Sequence, residues 1–423
     1  MPAGNLEKMK LAYEYGADAI YCGVPRYSLR ARENDFTMED LKSAVLYAHS
    51  RNKKIYFTIN AFPRNSKLPS YPKYLQQMAE LKPDGFIMAD PGLIFLTRKL
   101  APEINIHISV QANTMNYASV EFWKSVGATR VILSREVSIS EVKEIREKVP
   151  DMELEVFVHG AVCIAHSGRC LMSNYFTQRD ANQGACNNAC RDKYKVFVTN
   201  TRQNDEPMEI IESDEGTFLM NSKDMRAIQY LKEIRDAGVD SIKVEGRTKN
   251  EYYVALVARS YRKALDDLKD GKEFDERLLD ELNKVASRKY FSGFLTRGME
   301  ERVPVEEQNF QNYEIGYSYE QSQMYAGTIQ KVLDDSLASF QIKNKIALGE
   351  KMEVFFPRNF ESKIFSIEEM YFKGEKKEVL SGGMGEVQIK IPFPVEEHCI
   401  LSVIRKSERK KDESNQKVTI SIP

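Results

Sequence analysis

From Leu6 to about Glu245 the chain alternates short aliphatic or β-branched runs with amphipathic helical ones. This rhythm constrains the fold more than any other feature, because strands joined through helices lie parallel and are buried on both faces, the layout of an α/β protein. The predicted strands are Ala17–Cys22, Lys54–Asn60, Gly85–Asp90, Ile104–Val110, Arg130–Arg135, Glu153–Val158 and Ser241–Glu245. Among the helices between them, Thr37–Asn52 places Leu41, Ala44, Val45 and Ala48 on one face, and Ser138–Lys148 opens with a capping box of Ser138 and Glu141. The chain opens directly on a helix, Leu6 to Tyr15 closed by Gly16. An eighth strand ahead of residue 1 would therefore complete a TIM-like (β/α)8 barrel whose first strand is missing here. An open doubly wound sheet is the competing architecture.

Further on, Tyr194–Thr199 and Met208–Met220 read as a β-hairpin, and Asn250–Lys269 and Phe274–Arg288 as helices, before a proline-marked polar linker, Val303 to Asn309. The period then becomes two. Ala338, Phe340 and Ile342 alternate with Ser339, Gln341 and Lys343, and Ile389 and Ile391 with Gln388 and Lys390, which predicts a small C-terminal β-barrel. The expected domains are residues 1–303, residues 304–407 and a flexible tail, 408–423, preceded and opened by the basic cluster Arg405, Lys406, Arg409, Lys410 and Lys411. No apolar run is long enough for a membrane span, and Met1-Pro2-Ala3-Gly4-Asn5 has no signal-peptide character, so a cytoplasmic, thiol-reducing location without membrane partners is expected. The 61 basic residues nearly cancel the 62 acidic ones, so global charge neither demands nor excludes nucleic acid.

Four of the six cysteines, Cys163, Cys170, Cys186 and Cys190, fall in one short stretch, with six, fifteen and three intervening residues. In a reducing compartment such a group points to one metal centre rather than a disulfide scaffold. Thiolates suit both zinc and an iron–sulfur cluster, and the spacing leaves both open. Only Cys186 and Cys190 form the close pair common in zinc sites, which tilts the reading toward iron–sulfur. Cys22 and Cys399 stand alone and read as packing residues.

Polar side chains at the C-terminal ends of barrel strands form the expected active-site wall. Cys22-Gly23, Asn60, Asp90, Gln111, Asn113, Arg135, Glu136, His159, Glu245 and Arg247 fall there, although any one of them could serve as a cap or loop hydrogen bond. His159, Glu245, Arg247, Arg135 and Glu136 are the catalytic candidates. Arg30 and Arg32, after the second barrel strand, join Asn60, Asp90, Gln111, Asn113 and Lys243 as substrate-binding candidates. Guanidinium forks match carboxylates and phosphates, so a small anionic metabolite is the implied ligand. His107 and Trp123 read as core residues. Lys343, Lys345, Lys351 and Lys363, with Tyr325, Phe355 and Phe356, are candidates for contact with an RNA backbone.

The run Glu155-x-Phe157-x-x-Gly160-Ala161-Val162-Cys163-x4-Gly168-x-Cys170-x-Met172-Ser173 resembles the signature of the peptidase U32 family, the collagenase-like proteins. Pro2-Ala3-Gly4-Asn5, Ser28-Leu29-Arg30-Ala31-Arg32, Gln111-Ala112-Asn113 and Lys243-Val244-Glu245-Gly246-Arg247 are similar to its other motifs, and members carry a strand ahead of the Pro-Ala-Gly turn. The family name implies proteolysis. Its bacterial branches imply hydroxylation of nucleic acid or quinone rings without dioxygen, through a 4Fe-4S cluster on cysteines such as these. The branch with an attached β-barrel implies synthesis of 5-hydroxyuridine at the tRNA wobble position, with prephenate as a required cosubstrate and tRNA as partner. The chain has no His-Glu-x-x-His and no Gly-x-Ser-x-Gly, and a cysteine tied to a metal centre is not free as a nucleophile. A tRNA hydroxylase is thus the leading expectation. A collagenase-like protease using His159 or His166 beside Cys163 is the runner-up, and a zinc-braced RNA-binding protein without catalysis the third reading.

Overall fold

The computed structural model describes residues 1–29, 35–163, 165–192, 196–200, 204–210, 222–299, 303–304 and 322–405. The linker from Val305, the second half of the predicted hairpin from residue 211, the pair Arg30 and Arg32, and the tail from Lys406 lie outside the described residues. The chain divides into two compact units, the first made of Met1–Glu320 and Phe356–Glu361 and the second of Gln321–Phe355 and the chain from Ser362.

In the first unit the strands are β1 (Pro2–Ala3), β2 (Ala19–Gly23), β3 (Lys54–Ile59), β4 (Gly85–Met88), β5 (Ile106–Ile108), β6 (Arg130–Ile132) and β7 (Glu153–Ala161), followed by β8 (Val196–Asn200), β9 (Asn204–Ile210), β10 (Asp224–Arg226), β11 (Ser241–Val244) and β12 (Tyr290–Phe291). Strands β1 to β7 pair in sequence order and in parallel, and β11 lies parallel along the middle of β7, from Glu155 to His159. All seven predicted strands are present. Pro2–Ala3, expected as a turn, is itself a short strand beside Tyr21 and Cys22, which corrects the reading of a wholly missing first strand. Among the described residues no ladder joins β1 to β11, but Tyr21 Oη donates to Val244 O across that seam at 2.9 Å. Unforeseen were β10, antiparallel to the last residues of β7, and β12 beside it. Strands β8 and β9 form an antiparallel hairpin whose first arm lies where it was expected and whose second arm, Asn204–Ile210, overlaps the expected Met208–Met220 only at its start.

The helices follow local rules. Thr37 and Ser138 each form a complete capping box, with Asp40 and Glu141 respectively, and Met38–Ser50 buries Leu41, Ala44, Val45 and Ala48 as the periodicity requires. Glu251–Lys269 is the longest helix and the most deeply buried, and Trp123 is core, donating Nε1–H to Thr114 Oγ1 at 3.0 Å. No helix among the described residues is long and apolar enough to cross a membrane.

The second unit is an eight-stranded antiparallel half-barrel. Its order is Ser362–Ser366, Lys351–Phe355, Ile400–Ile404, Gln323–Val332, Leu337–Gln341, Glu386–Lys390, Met370–Phe372 and Glu375–Lys376. Ala338, Phe340, Val387 and Ile389 are buried, as the period-two pattern demands. Lys343, Lys345, Lys351 and Lys363 are exposed, whereas Tyr325 and Phe355 are buried in this unit's core and Phe356 is also buried, so the expected aromatic partners for RNA are not at the surface.

Candidate active site at the strand ends

Side chains alternate across a strand, so one parity of each parallel strand faces the interior of the rolled sheet. Tyr21, Tyr56 and Thr58, Ile87, His107 and Ser109, Arg130 and Ile132, Glu155 and Phe157, and Lys243 share that face through their registers. The lower level is a closed charge network. Glu155, fully buried, accepts from Lys243 Nζ at 2.8 Å, Arg130 Nη1 at 3.0 Å and Ser241 Oγ at 2.8 Å. Burial alone would raise its pKa, but Lys243 and Arg130 hold the carboxyl well below the usual carboxylate range. His107 lies against Tyr56, with ring centroids 4.6 Å apart and the planes tilted by 54°, and is pushed down to about 3, first by burial and then by Arg130, so it is the neutral core histidine expected. A cavity of about 680 Å³ opens at this N-terminal end, beside Tyr56, Glu155 and Lys243, opposite to the end where barrel chemistry takes place.

The upper level borders a cavity of about 140 Å³ at the C-terminal ends of the strands. Its walls carry Tyr21, Thr58, Asn60, Ser109, Gln111, Arg135, Phe157, Lys243, Glu245 and Arg247, and its roof is the loop after β7, with all four of Cys163, Cys170, Cys186 and Cys190 together with Asn188 and Arg191. Asn60 Nδ2 donates to Gln111 Oε1 at 3.1 Å, which joins two of the expected substrate-binding side chains. Arg135 lies 4.0 Å above the Phe157 ring and 4.0 Å from Glu245 Oε2. Gly160 has φ 104°, and a Cβ there would stand 2.3 Å from Glu245 O, so only glycine lets β7 pass this close to the end of β11.

Arg247 behaves differently from the expectation. Its Nη1 donates to Ser28 Oγ and Thr58 Oγ1, both at 3.2 Å, and its Nη2 to Leu29 O, so the guanidinium clamps the loop after β2. Arg191, which the sequence reading missed, donates its backbone N–H to Asn188 O at 2.8 Å, while its side chain has no hydrogen-bond or ion-pair partner among the described residues, and burial followed by the nearby Arg288 lowers its pKa. Its only sequence signal is its place directly after Cys190.

Four expected site residues lie away from the cavity wall. Asp90 has the outward parity of β4 and caps the next helix, accepting from Leu93 N at 2.8 Å. Glu136 accepts from Ser167 N at 2.7 Å and from Ser167 Oγ, and Asn113 donates to His166 Nδ1 at 2.7 Å, so both brace the turn at His166–Gly168 that carries the chain between Cys163 and Cys170. His159 is turned away by a bulge. Phe157 pairs with Lys243 but His159 with Val244, so the extra residue Val158 rotates the imidazole to the helix side. There it is ringed by Tyr253, Tyr261 and Tyr290, and burial pushes it down to about 3.

Cys163 is exposed and the other three roof cysteines half-buried, and all are free thiols. Burial raises the pKa of Cys190, the neighbouring Arg191 lowers it in part, and the thiols of Cys163, Cys186 and Cys170 raise it, which places the four within electrostatic reach of one another. Cys22 and Cys399 are buried elsewhere, and burial pushes both thiols up to about 12.

Residues 4–303 match peptidase family U32, and residues 321–401 match the peptidase family U32 C-terminal domain. The tRNA hydroxylation protein P of Haemophilus influenzae is 44% identical over 91% of this chain and 90% of its own length. The protein of the same name in Escherichia coli is 42% identical over 93% of this chain and 94% of its own. A Porphyromonas gingivalis protein named collagenase is 28% identical over 69% of this chain and 72% of its own. The sheet, its cysteine-bearing roof and the antiparallel half-barrel thus fall within matched segments, and the chain belongs to peptidase family U32.

Proposed function

We propose that this protein is a tRNA-modifying enzyme that converts a wobble-position uridine to 5-hydroxyuridine, with a 4Fe-4S cluster on Cys163, Cys170, Cys186 and Cys190 and an anionic metabolite of the prephenate type as cosubstrate. The carrying observation is that all four thiols border one cavity at the C-terminal strand ends, together with Arg135, Arg191 and Glu245. Relatives above 40% identity named for tRNA hydroxylation agree with this reading. A tRNA substrate implies work in the cytoplasm.

Four thiolates suit either zinc or an iron–sulfur cluster. The wide spacing of Cys163, Cys170 and Cys186, with only Cys186 and Cys190 forming a close pair, favours the cluster. When bound, the cluster would supply electron transfer or a Lewis-acidic iron beside the cavity.

The chain's own residues do the rest. Arg135 and Arg191 offer guanidinium forks to a carboxylate, and Glu245, beside Arg135, is the carboxylate able to hold a proton next to the bound ring. Lys243 and Arg247 fix the cavity walls through Glu155 and through Ser28 and Thr58. The uridine must leave its stack to reach the cavity.

Nucleoside mass spectrometry of tRNA from cells lacking this protein tests the function. Loss of 5-hydroxyuridine, restored by the wild-type gene, is expected. Unchanged hydroxyuridine in cells without a second enzyme of this kind would overturn it, and collagen cleavage by the metal-replete protein would favour the protease.

A further inference from the structure

Between Cys170 and Cys186 the chain buries Ser173 and exposes three large apolar side chains. The short helix Met172–Thr177 is pinned by Asn187, whose Oδ1 accepts from Ser173 Oγ at 2.6 Å and whose Nδ2 donates to Thr177 Oγ1 at 3.1 Å. Ser173 is 2% exposed, while Leu171, Tyr175 and Phe176 are 59%, 83% and 61% exposed. Leu171 and Tyr175, four residues apart, share a face, with Phe176 next to them. A cluster of large apolar side chains held outward in this way marks a contact surface.

Its surroundings are basic. Arg169 and Arg179 flank the helix and are exposed. Arg64 and Lys67 arrive on a neighbouring loop, held by Phe62 N donating to Asn182 O at 3.4 Å and Lys67 Nζ donating to Gln183 Oε1 at 3.4 Å. Asp180 is the only carboxylate in residues 165–189, and it caps its own turn by accepting from Asn182 N at 2.9 Å. The surface runs directly into the cavity rim, since Asn182 Nδ2 donates to Cys170 O at 3.1 Å.

The geometry points to this surface as the dock for an unpaired RNA loop, with Tyr175 and Phe176 stacking on bases that flank the one entering the cavity. Exposed rings beside cations suit a strand that offers both base faces and phosphates, whereas a duplex hides its bases. This inference rests on the tRNA reading above and adds the contact surface, which the sequence had placed in the β module.

Fluorescence anisotropy of the full-length protein with a labelled RNA hairpin bearing an unpaired loop, and with a fully paired duplex of equal length, tests it. Tyr175→Ala and Phe176→Ala should each weaken hairpin binding about ten-fold, the order expected for one stacked base, and leave duplex binding unchanged. Tyr175→Phe should bind like wild type, because stacking needs the ring and not the hydroxyl. Arg179→Glu provides a second route should an alanine variant fold poorly, and should weaken binding and flatten its salt dependence. Wild-type hairpin affinity in Tyr175→Ala/Phe176→Ala would overturn the surface, even in cells whose hydroxyuridine depends on this protein. Capture of the protein by anionic phospholipid vesicles through the same two rings, with no hairpin binding, would also overturn it in favour of a membrane contact.

Discussion

The two ends of the same parallel strands handle charge in opposite ways. At the lower end Glu155 is saturated by Lys243, Arg130 and Ser241. At the upper end Arg135 stands 4.0 Å from Glu245, and the Arg191 side chain has no hydrogen-bond or ion-pair partner among the described residues. A buried charge left without a partner is costly, so the lower network belongs to folding. The upper cations, beside the four roof cysteines, are the ones that the proposed function assigns to an anionic cosubstrate.

Four measurements can break or sharpen this contrast. The largest effect should come from the roof. Serine at any of Cys163, Cys170, Cys186 or Cys190 should abolish iron content and hydroxylation, whereas Cys22→Ser and Cys399→Ser should retain both. Full iron in Cys170→Ser would break the four-thiolate assignment. Next comes the base, where Glu155→Ala strands Lys243 and should cost about 3–5 kcal/mol in denaturant unfolding. A loss below about 1 kcal/mol would show that the network is solvated and dispensable.

Smaller is the contrast between the two arginines. Arg191→Ala should weaken binding of a dicarboxylate by roughly ten- to a hundred-fold, the size of about 1.5–3 kcal/mol for a charge-assisted bond, with no change in melting temperature. Arg247→Ala should instead lower the melting temperature, because it releases Ser28, Thr58 and Leu29 O. The reverse pattern would exchange their roles.

Smallest per pH unit is the acid limb. His107 and His159 drop from 6.5 to about 3 on folding. The unfolded chain therefore takes up these protons first, and the stability from burying neutral imidazoles is complete above pH 6.5 and lost as pH falls toward 3. Each should contribute a slope of up to about 1.4 kcal/mol per pH unit. Unfolding titrations of His159→Phe should show that slope reduced by one histidine's share, and an unchanged slope would mean that the imidazole is hydrated in the folded protein.

Much of this architecture was readable beforehand, because periodicity and capping are local. The capping boxes at Thr37 and Ser138 and all seven predicted strands lie where spacing put them, with ends shortened by one to three residues at Ile106–Ile108 and Arg130–Ile132. The parity rule was available as well, and would have placed Tyr21, Thr58 and Ser109 on the cavity wall and kept Asp90 off it. His159 escaped that rule. Its orientation depends on a bulge that exists only once β7 lies against β11.

By itself the sequence determined the parallel α/β plan, the β-rich second unit and the grouping of four thiols, since each is set by neighbours along the chain. Only the tertiary structure decided which charges are paired. It tied Arg247 to Ser28 and Thr58 and left Arg191 open to the cavity; it also turned Tyr175 and Phe176 to solvent while burying Tyr325 and Phe355. The reason is physical. Whether a side chain of a given type braces the fold or faces a ligand depends on partners far away in sequence, and those partners meet only when the sheet rolls up.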